Sequence, residues 1–144
     1  MSMKQISVFL ENKPGTLDEM TVVLAEHNID MRALSLSEAE GFGIVRIIVD
    51  DVYDASNTLK EAGFVNKVTK VLAVSIPDAP GGLHKVLKEL RKANININYM
   101  YAARGGADAD SAYMIFKVGD VKAAEGVLLN AGIRIAEQED LAED

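Results

Sequence analysis

Two short polar turns contain the residues of this 144-residue chain with the clearest capacity to bind a ligand. The first reads ENKPGTL over residues 11–17, and the second reads PDAPGGL over residues 77–83. In each turn a proline fixes φ and a glycine allows close approach to the backbone, just before a stretch with helical periodicity. The first amides of a helix lack internal partners and lie at its positive end, so they favour a carboxylate or a phosphate. A carboxylate with two or three further hydrogen bonds describes the head of a free amino acid.

The same turns also have a purely structural interpretation. Asn or Asp followed by x-Pro-Gly is a common way for a chain to enter a helix, and each turn taken alone favours that interpretation. Elsewhere, His27 and His84 have no second histidine or cysteine at ligand spacing. Nothing resembles a nucleophile elbow or a P-loop. The sequence therefore predicts no catalytic residue, no metal site and no cofactor.

Composition excludes several classes of partner. The formal charge of −7 argues against nucleic acid and against an anionic membrane, since both reward a basic surface. No apolar run approaches the roughly 18 residues needed to span a bilayer. The chain has no cysteine, which excludes disulfides and thiolate sites and makes a cytoplasmic location the default expectation. Hydrophobic residues make up 49% of the chain, so a sizeable core is possible.

The two turns belong to one unit that is written twice. A shift of 66 residues places the second Pro-Gly on the first, and further along a shift of 69 places Ala131-Gly132 on Ala62-Gly63. The three extra residues lie in ARGGADADS, which replaces the shorter SEAEGF between two predicted strands. Gly and Asp mark this segment as a loop, where insertions cost little. We therefore interpret the chain as a tandem duplication.

Each copy shows the same order of periodicities. An alternating strand pattern precedes the turn, and a helical pattern follows it. Two further strands are predicted in each copy, at about 30–37 and 42–50, then 96–103 and 111–118. A second helix should begin at Asp51 or Asp120 and end at Gly63 or Gly132, before a last strand. The order predicts an α+β protein of two ferredoxin-like βαββαβ units, 1–70 and 71–144, each a four-stranded antiparallel sheet with its helices on one face.

The third strand of the first copy has apolar residues on both faces. Ile44 and Ile48 point one way, and Val45, Ile47 and Val49 point the other. Helices cover only one face of such a sheet, so the second face should be covered by sheet-on-sheet packing of copies or chains. A homodimer is the commonest such arrangement. The alternative is that strong β-formers tolerate partial exposure.

The turn, the following helix and an Asn-Ile-x-Ile-like strand start together resemble the ACT domain, an amino-acid-sensing regulatory module. The strand starts are Asn28-Ile29-Asp30-Met31 and Asn94-Ile95-Asn96-Ile97. The resemblance covers nearly the whole chain. It implies a non-catalytic sensor that binds a free amino acid where two ACT units meet, between the turn of one and the second strand of its neighbour. The ligand-binding residues it implies are Asn12, Lys13, Pro14, Gly15, Thr16, Leu17, Asp30, Met31, Asp78, Ala79, Pro80, Gly81, Gly82, Leu83, Asn96 and Ile97.

The resemblance extends to the serine-sensing ACT domain of phosphoglycerate dehydrogenase, with differences that bear on the ligand. The positions that match its ligand-contacting asparagines are Asn12, Asp30, Asp78 and Asn96. An Asp there can accept from the ligand ammonium but would repel its carboxylate. Side-by-side pairing of copies would make a pocket with Asn12 and Asn96 the more serine-like of two. Leu10 and Ile76 stand where such domains carry a histidine.

Two other functions remain open at this point. The segment ISVFLENKPGTL also resembles the small regulatory subunit of acetolactate synthase, which implies a subunit that binds and controls an amino-acid biosynthetic enzyme. An acylphosphatase-like enzyme on the same fold would need an arginine near an anion-cradling loop, with Arg46 as the candidate and Arg32 less well placed. The asparagines at positions 94, 96 and 98 would share one face of a regular strand and could bind a polar ligand.

Overall fold

A computed structural model of the chain describes residues 3–108 and 110–142, with the backbone alone for residue 142. These residues form seven strands and five helices. Their order is β1 (Met3–Glu11), α1 (Thr16–Glu26), β2 (Ala33–Ala39), β3 (Phe42–Ile48), α2 (Val52–Glu61), β4 (Asn66–Pro77), α3 (Gly82–Lys92), β5 (Ile97–Ala102), β6 (Ser111–Val118), α4 (Val121–Asn130), β7 (Ile135–Ala136) and α5 (Gln138–Ala142). None of these helices is long and apolar enough to cross a membrane.

The chain divides into two units within a single strand. One unit comprises Lys4–Thr69, and the other comprises Met3 and the described residues between Lys70 and Ala142. Both sides of this division belong to β4, which runs for 12 residues without interruption. A strand leaves no room for a flexible linker, as the apolar run KVTKVLAVSIP predicts.

The first unit has the strand order β2-β3-β1-β4. Strand β3 pairs antiparallel with both β1 and β2, and Glu11 lies opposite Phe42 in the register of β1 and β3. Helices α1 and α2 lie on one face, where they bury an apolar core. The fully buried core residues include Ile6, Val8, Met20, Leu24, Val45, Ile47, Ala55 and Leu59.

The second unit repeats this architecture with the order β7-β4-β6-β5. Strand β6 pairs antiparallel with β4 and with β5. Helices α3 and α4 supply the other side of a second core, which includes Leu72, Val74, Val86, Leu90, Phe116, Val118, Ala124 and Leu128. The prediction of two ferredoxin-like units with antiparallel sheets is confirmed.

Aspartates begin the second helix of each unit, as the sequence predicts. The side chain of Asp51 accepts a hydrogen bond from the amide of Asp54, and that of Asp120 accepts one from Ala123, each at 3.0 Å. Each bond satisfies an amide that has no partner inside the helix. Both helices are therefore closed at their N-termini by the protein itself.

We expect Asp51→Ala and Asp120→Ala each to lower the free energy of unfolding by about 1 kcal/mol, because each removes a side-chain cap. Asp51→Asn and Asp120→Asn are the matched controls, since asparagine keeps an accepting oxygen, and they should lose far less. Urea denaturation of the four variants measures the difference. Equal losses in the Ala and Asn variants would contradict this role of the caps.

The third strand is buried on both faces near its end. Val45, Ile47 and Val49 lie in the core under the helices. On the opposite face Ile48 is also buried, whereas Ile44 is only half-buried. Ile48 is thus shielded from water within a single chain, and sheet-on-sheet packing over this face stays a prediction.

The asparagines before the second strand of each unit end a helix. Asn28 and Asn94 have φ of 56° and 58°, in the left-handed region that asparagine tolerates better than most residues. In the first unit the amide of Ile29 donates to the carbonyl of Leu24 at 2.9 Å, and the second unit has the equivalent bond. This left-handed residue after each helix explains the repeated Asn-Ile pair.

The regular strand that would place the asparagines at 94, 96 and 98 on one face does not form. Asn94 belongs to a helix end, and β5 begins only at Ile97. The register of β5 against β6 also shifts between Ile97 and Tyr99. A strand with such an irregularity does not keep strict alternation. Asn94 and Asn96 nevertheless both border one groove at the end of α3, and Asn98 is not part of its lining.

Candidate functional site

The first Pro-Gly turn leads into α1 without a side-chain cap. Gly15 is the N-cap residue, with φ of 91° and ψ of −15°, and no side chain bonds to the amides that open the helix. The Thr16 hydroxyl instead donates back to the carbonyls of Glu11, at 2.9 Å, and Lys13, at 3.1 Å. These bonds hold the turn in shape. They leave the amides of Leu17 and Asp18 without a partner inside the helix.

The surface around Gly15 is open. A methyl group placed on Gly15 would meet no atom within 4 Å. A ligand could therefore approach the backbone at this point. The N-terminus of α1 differs in this respect from those of α2 and α4, which have aspartate caps, whereas α1 has none.

An open groove of about 490 Å³ lies beside this turn, and we call it the first groove. Its apolar side is formed by Phe9, Phe42 and Val65, and its polar side by Glu11, Asn12 and Lys13. The two phenylalanine rings are 6.3 Å apart between centroids and tilted by 53°. The first groove thus places an aromatic surface next to charged groups.

The polar side of the first groove carries both signs of charge. Lys13 Nζ lies 3.2 Å from Glu11 Oε2, with both side chains mostly exposed. Asn12 Nδ2 donates to Glu38 Oε2 at 2.7 Å, so a second carboxylate stands beside the turn. The carboxamide oxygen of Asn12 remains as an acceptor. Such a set offers partners for an ammonium and for a carboxylate.

The second Pro-Gly turn is tied to the inserted loop of its own unit. Gly81 has φ of 85°, and α3 likewise has no side-chain cap. The amide of Asp78, however, donates to the carbonyl of Asp110 at 2.7 Å. Asp108 holds that loop by accepting from the amide of Asp110 and the hydroxyl of Ser111, at 2.8 and 3.0 Å. The two turns are therefore not equivalent.

The first helical residue also differs between the turns for a steric reason. A methyl group on Gly82 would clash with the carbonyl oxygen of Pro77. The equivalent pair in the first unit is Thr16 and Glu11, where a hydroxyl bonds the carbonyl instead. Only glycine fits at position 82, because the backbone there lies closer to the preceding carbonyl than it does at Thr16.

The predicted second-strand residues lie at the other end of the first helix of each unit. Asp30 and Met31 border a groove of about 390 Å³ at the end of α1, and Asn96 and Ile97 border the equivalent one of about 340 Å³ at the end of α3. Helix α1 has 11 residues and is therefore about 16 Å long. Within one unit, the turn and the second-strand residues do not form a common pocket.

The structure thus brings together only part of the predicted set. Asn12 and Lys13 line the first groove, residues 14–17 form the turn and the opening of α1, and residues 78–83 form the second turn. The aromatic lining was not predicted as part of a site. Phe9 and Phe42 are far apart in the sequence and become neighbours only through the pairing of β1 with β3. The only available signal was that Phe9 lies shortly before a Pro-Gly turn in the sequence.

The arginines considered for an enzyme are engaged in other contacts. Arg46 donates to the Ser37 hydroxyl at 3.0 Å. The side chain of Arg32 is nearly buried. Its Nη1 lies 3.4 Å from Asp30 Oδ2, and its Nε lies 3.6 Å from Asp50 Oδ1. Within the described parts of the chain, no group of three or more His, Cys, Asp or Glu side chains could hold a metal ion.

Comparison with known proteins matches the whole chain to one family model. The model is described as an ACT domain pair and matches residues 1–144. Protein BT0572 from Bacteroides thetaiotaomicron is 37% identical, with a TM-score of 0.91 over 100% of this chain and 98% of that one. The comparison with curated proteins gave no match.

Two further solved structures share the fold at lower identity. The ligand-free regulatory subunit of aspartate kinase from Thermus thermophilus is 18% identical, with a TM-score of 0.63 over 89% of this chain and 91% of that one. The aspartate kinase from Synechocystis is 18% identical, with a TM-score of 0.59 over 98% of this chain and 26% of that enzyme. At this identity the likeness concerns the fold alone.

Proposed function

This chain belongs to the ACT domain family as an ACT domain pair, and from that premise we propose that it is a non-catalytic regulatory protein that binds a free amino acid. ACT domain pairs are regulatory modules, and the family suggests an amino-acid-sensing role. The observation that carries the proposal is the difference between the helix N-termini. Aspartates cap α2 and α4, whereas no side chain caps α1 or α3 after the Pro-Gly turns.

The amides that open α1 are the proposed partners of the ligand carboxylate. A helix N-terminus favours an anion through its free amides and its dipole. Lys13 supplies a positive charge beside them, and the Asn12 carboxamide oxygen together with Glu11 can accept from the ammonium. This arrangement fits a zwitterion better than a simple anion, because the groups beside the turn include carboxylates.

We place the main site at the first turn because two backbone amides of the second turn are already hydrogen-bonded to carbonyls of the protein. The amide of Asp78 is bonded to Asp110, and the Gly82 amide is bonded to Ala79 at 3.0 Å. The first turn instead borders an open groove. In this proposal another ACT unit completes the site through the residues at or just before its second strand, which are Asp30 and Met31 in a first unit or Asn96 and Ile97 in a second.

A thermal screen of the twenty amino acids tests the proposal. A ligand that binds the native state stabilises it by about 2.7 kcal/mol at a free concentration one hundred times its Kd. For a chain of this size we expect the melting temperature to rise by on the order of 5–10 °C with at least one amino acid. If no amino acid at millimolar concentration raises it, the proposed function is wrong.

A regulatory subunit that binds an amino-acid biosynthetic enzyme is the second candidate. Leu34 and Leu36 are 42% and 53% exposed on β2, which is the edge strand of the first unit. Exposed apolar side chains on an unpaired edge favour pairing with another chain. Affinity capture from a source lysate should then recover a stoichiometric enzyme with the wild type and not with Leu34→Glu/Leu36→Glu. Recovery of no such enzyme would count against this candidate.

A further inference from the structure

The first groove has a composition that the repeat itself does not require. The second-unit equivalents of Phe9 and Phe42 are Ser75 and Ser111, which occupy the same register positions in β4 and β6. The equivalent of Val65 is Arg134. The same architecture therefore forms with serine or arginine at these positions, and the apolar lining belongs to the first unit alone.

This apolar lining is exposed to water. Phe42 is 39% exposed and Val65 is 69% exposed, although both lie beside the same groove. Covering such surface is favourable in proportion to the apolar area removed from water. The volume of about 490 Å³ lies within the range of roughly 300–1,000 Å³ that is typical of small-molecule sites. The groove therefore offers room and a driving force for an apolar group.

The charged groups beside this apolar surface limit which kind of molecule could bind in the first groove. Glu11, Lys13 and the Glu38 that holds Asn12 line or adjoin the polar side. Two carboxylates and one ammonium suit a molecule that carries a positive and a negative group on neighbouring atoms. A purely apolar molecule would leave these groups unused, and a simple anion would face two carboxylates.

We propose that the first groove receives the side chain of the bound amino acid, and that the ligand is an α-amino acid with an aromatic or large aliphatic side chain. This inference rests on the proposed function and adds the ligand class. Phe9, Phe42 and Val65 contact the side chain, while Glu11, Asn12 and Lys13 fix the zwitterionic head at the turn. A small polar amino acid such as serine covers little of the aromatic surface and gains little from it.

Calorimetric titration of the full chain separates the ligand classes. We expect phenylalanine, leucine, isoleucine or methionine to bind at least tenfold more tightly than serine, aspartate or lysine. Two analogues of leucine test the head: 4-methyl-2-oxopentanoate lacks the ammonium, and 3-methylbutylamine lacks the carboxylate. Both should bind at least tenfold more weakly than leucine if leucine is a ligand. Equal or tighter binding of either analogue would overturn the zwitterion assignment.

Substitutions of the apolar lining test the groove directly, and Phe42→Ser places there the residue that the second unit has at this position. Phe42→Ser should weaken binding of the apolar amino acid at least tenfold, and Phe42→Leu should retain most of it. Val65→Ser, at a more exposed position, gives a second test with an expected loss of about threefold, should Phe42→Ser fold poorly. Leu129→Ala is the control, because Leu129 is 58% exposed on α4 of the other unit.

The outcomes distinguish this inference from the function on which it rests. Selective binding of apolar amino acids that Phe42→Ser or Val65→Ser weakens supports both. Binding of polar amino acids, or of any amino acid with unchanged affinity in both variants, overturns the groove assignment and leaves the sensor function standing. Binding of no amino acid by the wild type overturns both together.

Discussion

Gly82→Ala should lower the free energy of unfolding by about 3 kcal/mol, at the upper end of the usual cost of overpacking. The added methyl group would clash with the carbonyl oxygen of Pro77, which is backbone and has little freedom to move. Helix propensity acts in the opposite direction, since alanine is favoured over glycine by about 1 kcal/mol inside a helix. A net loss of stability in Gly82→Ala would therefore be due to the steric clash. Urea denaturation measures it.

Gly81→Ala and Thr16→Ala are the matched controls for this substitution. Gly81 has open space around it but a positive φ, so alanine there should cost about 1–2 kcal/mol from backbone strain alone. Thr16→Ala removes a hydroxyl that bonds the equivalent carbonyl, and one hydrogen bond contributes about 1 kcal/mol. If Gly82→Ala lowers the free energy of unfolding no more than these two substitutions do, residue 82 does not lie closer to its preceding carbonyl than residue 16 does.

Asn12→Leu should weaken amino-acid binding by about ten- to a hundredfold. A hydrogen bond to a charged group contributes about 1.5–3 kcal/mol, and each 1.4 kcal/mol is a factor of ten. Leucine cannot accept from the ligand ammonium, and it also releases Glu38 from its bond to Asn12. The melting temperature without ligand should change little, because residue 12 is exposed. Calorimetric titration of the ligand found in the thermal screen measures the effect.

Asp78→Leu is the control at the equivalent position of the second unit. The contact of Asp78 with the inserted loop is made by its backbone amide, which the substitution keeps. We therefore expect the affinity at the main site and the stoichiometry of one ligand per chain to be unchanged. A loss of affinity equal to that of Asn12→Leu would show that the two turns share the binding, and would contradict their proposed inequivalence.

Local rules in the sequence predict most of the fold. The duplication, the order of elements and the caps at Asp51 and Asp120 follow from periodicity and from residues that act on neighbours three or four positions away. The second strand of the first unit begins at Ala33 and not at about residue 30, because Asn28 ends α1 in a left-handed conformation before the strand can start. The start predicted at about residue 96 in the second unit lies within one residue of the observed Ile97.

The site depends on pairs of residues that are distant in the sequence. Phe9 and Phe42 meet because Glu11 pairs with Phe42 in the register of β1 and β3, and no local pattern specifies that register. The bond between Asp78 and Asp110 likewise depends on how the inserted loop folds back. The Asn and Asp side chains predicted two unlike pockets, but the different backbone contacts of the two turns come from these nonlocal pairs and could not be predicted.

Amide chemical shifts of the isotope-labelled chain, recorded during titration with the amino acid found in the thermal screen, test the central claim most directly. We expect the amides of Leu17 and Asp18 to show the largest changes, those of Asn12 and Phe42 somewhat smaller ones, and the amides after Gly81 little change. The changes should saturate at one ligand per chain. Saturation of binding while the amides of Leu17 and Asp18 stay unshifted would contradict the account.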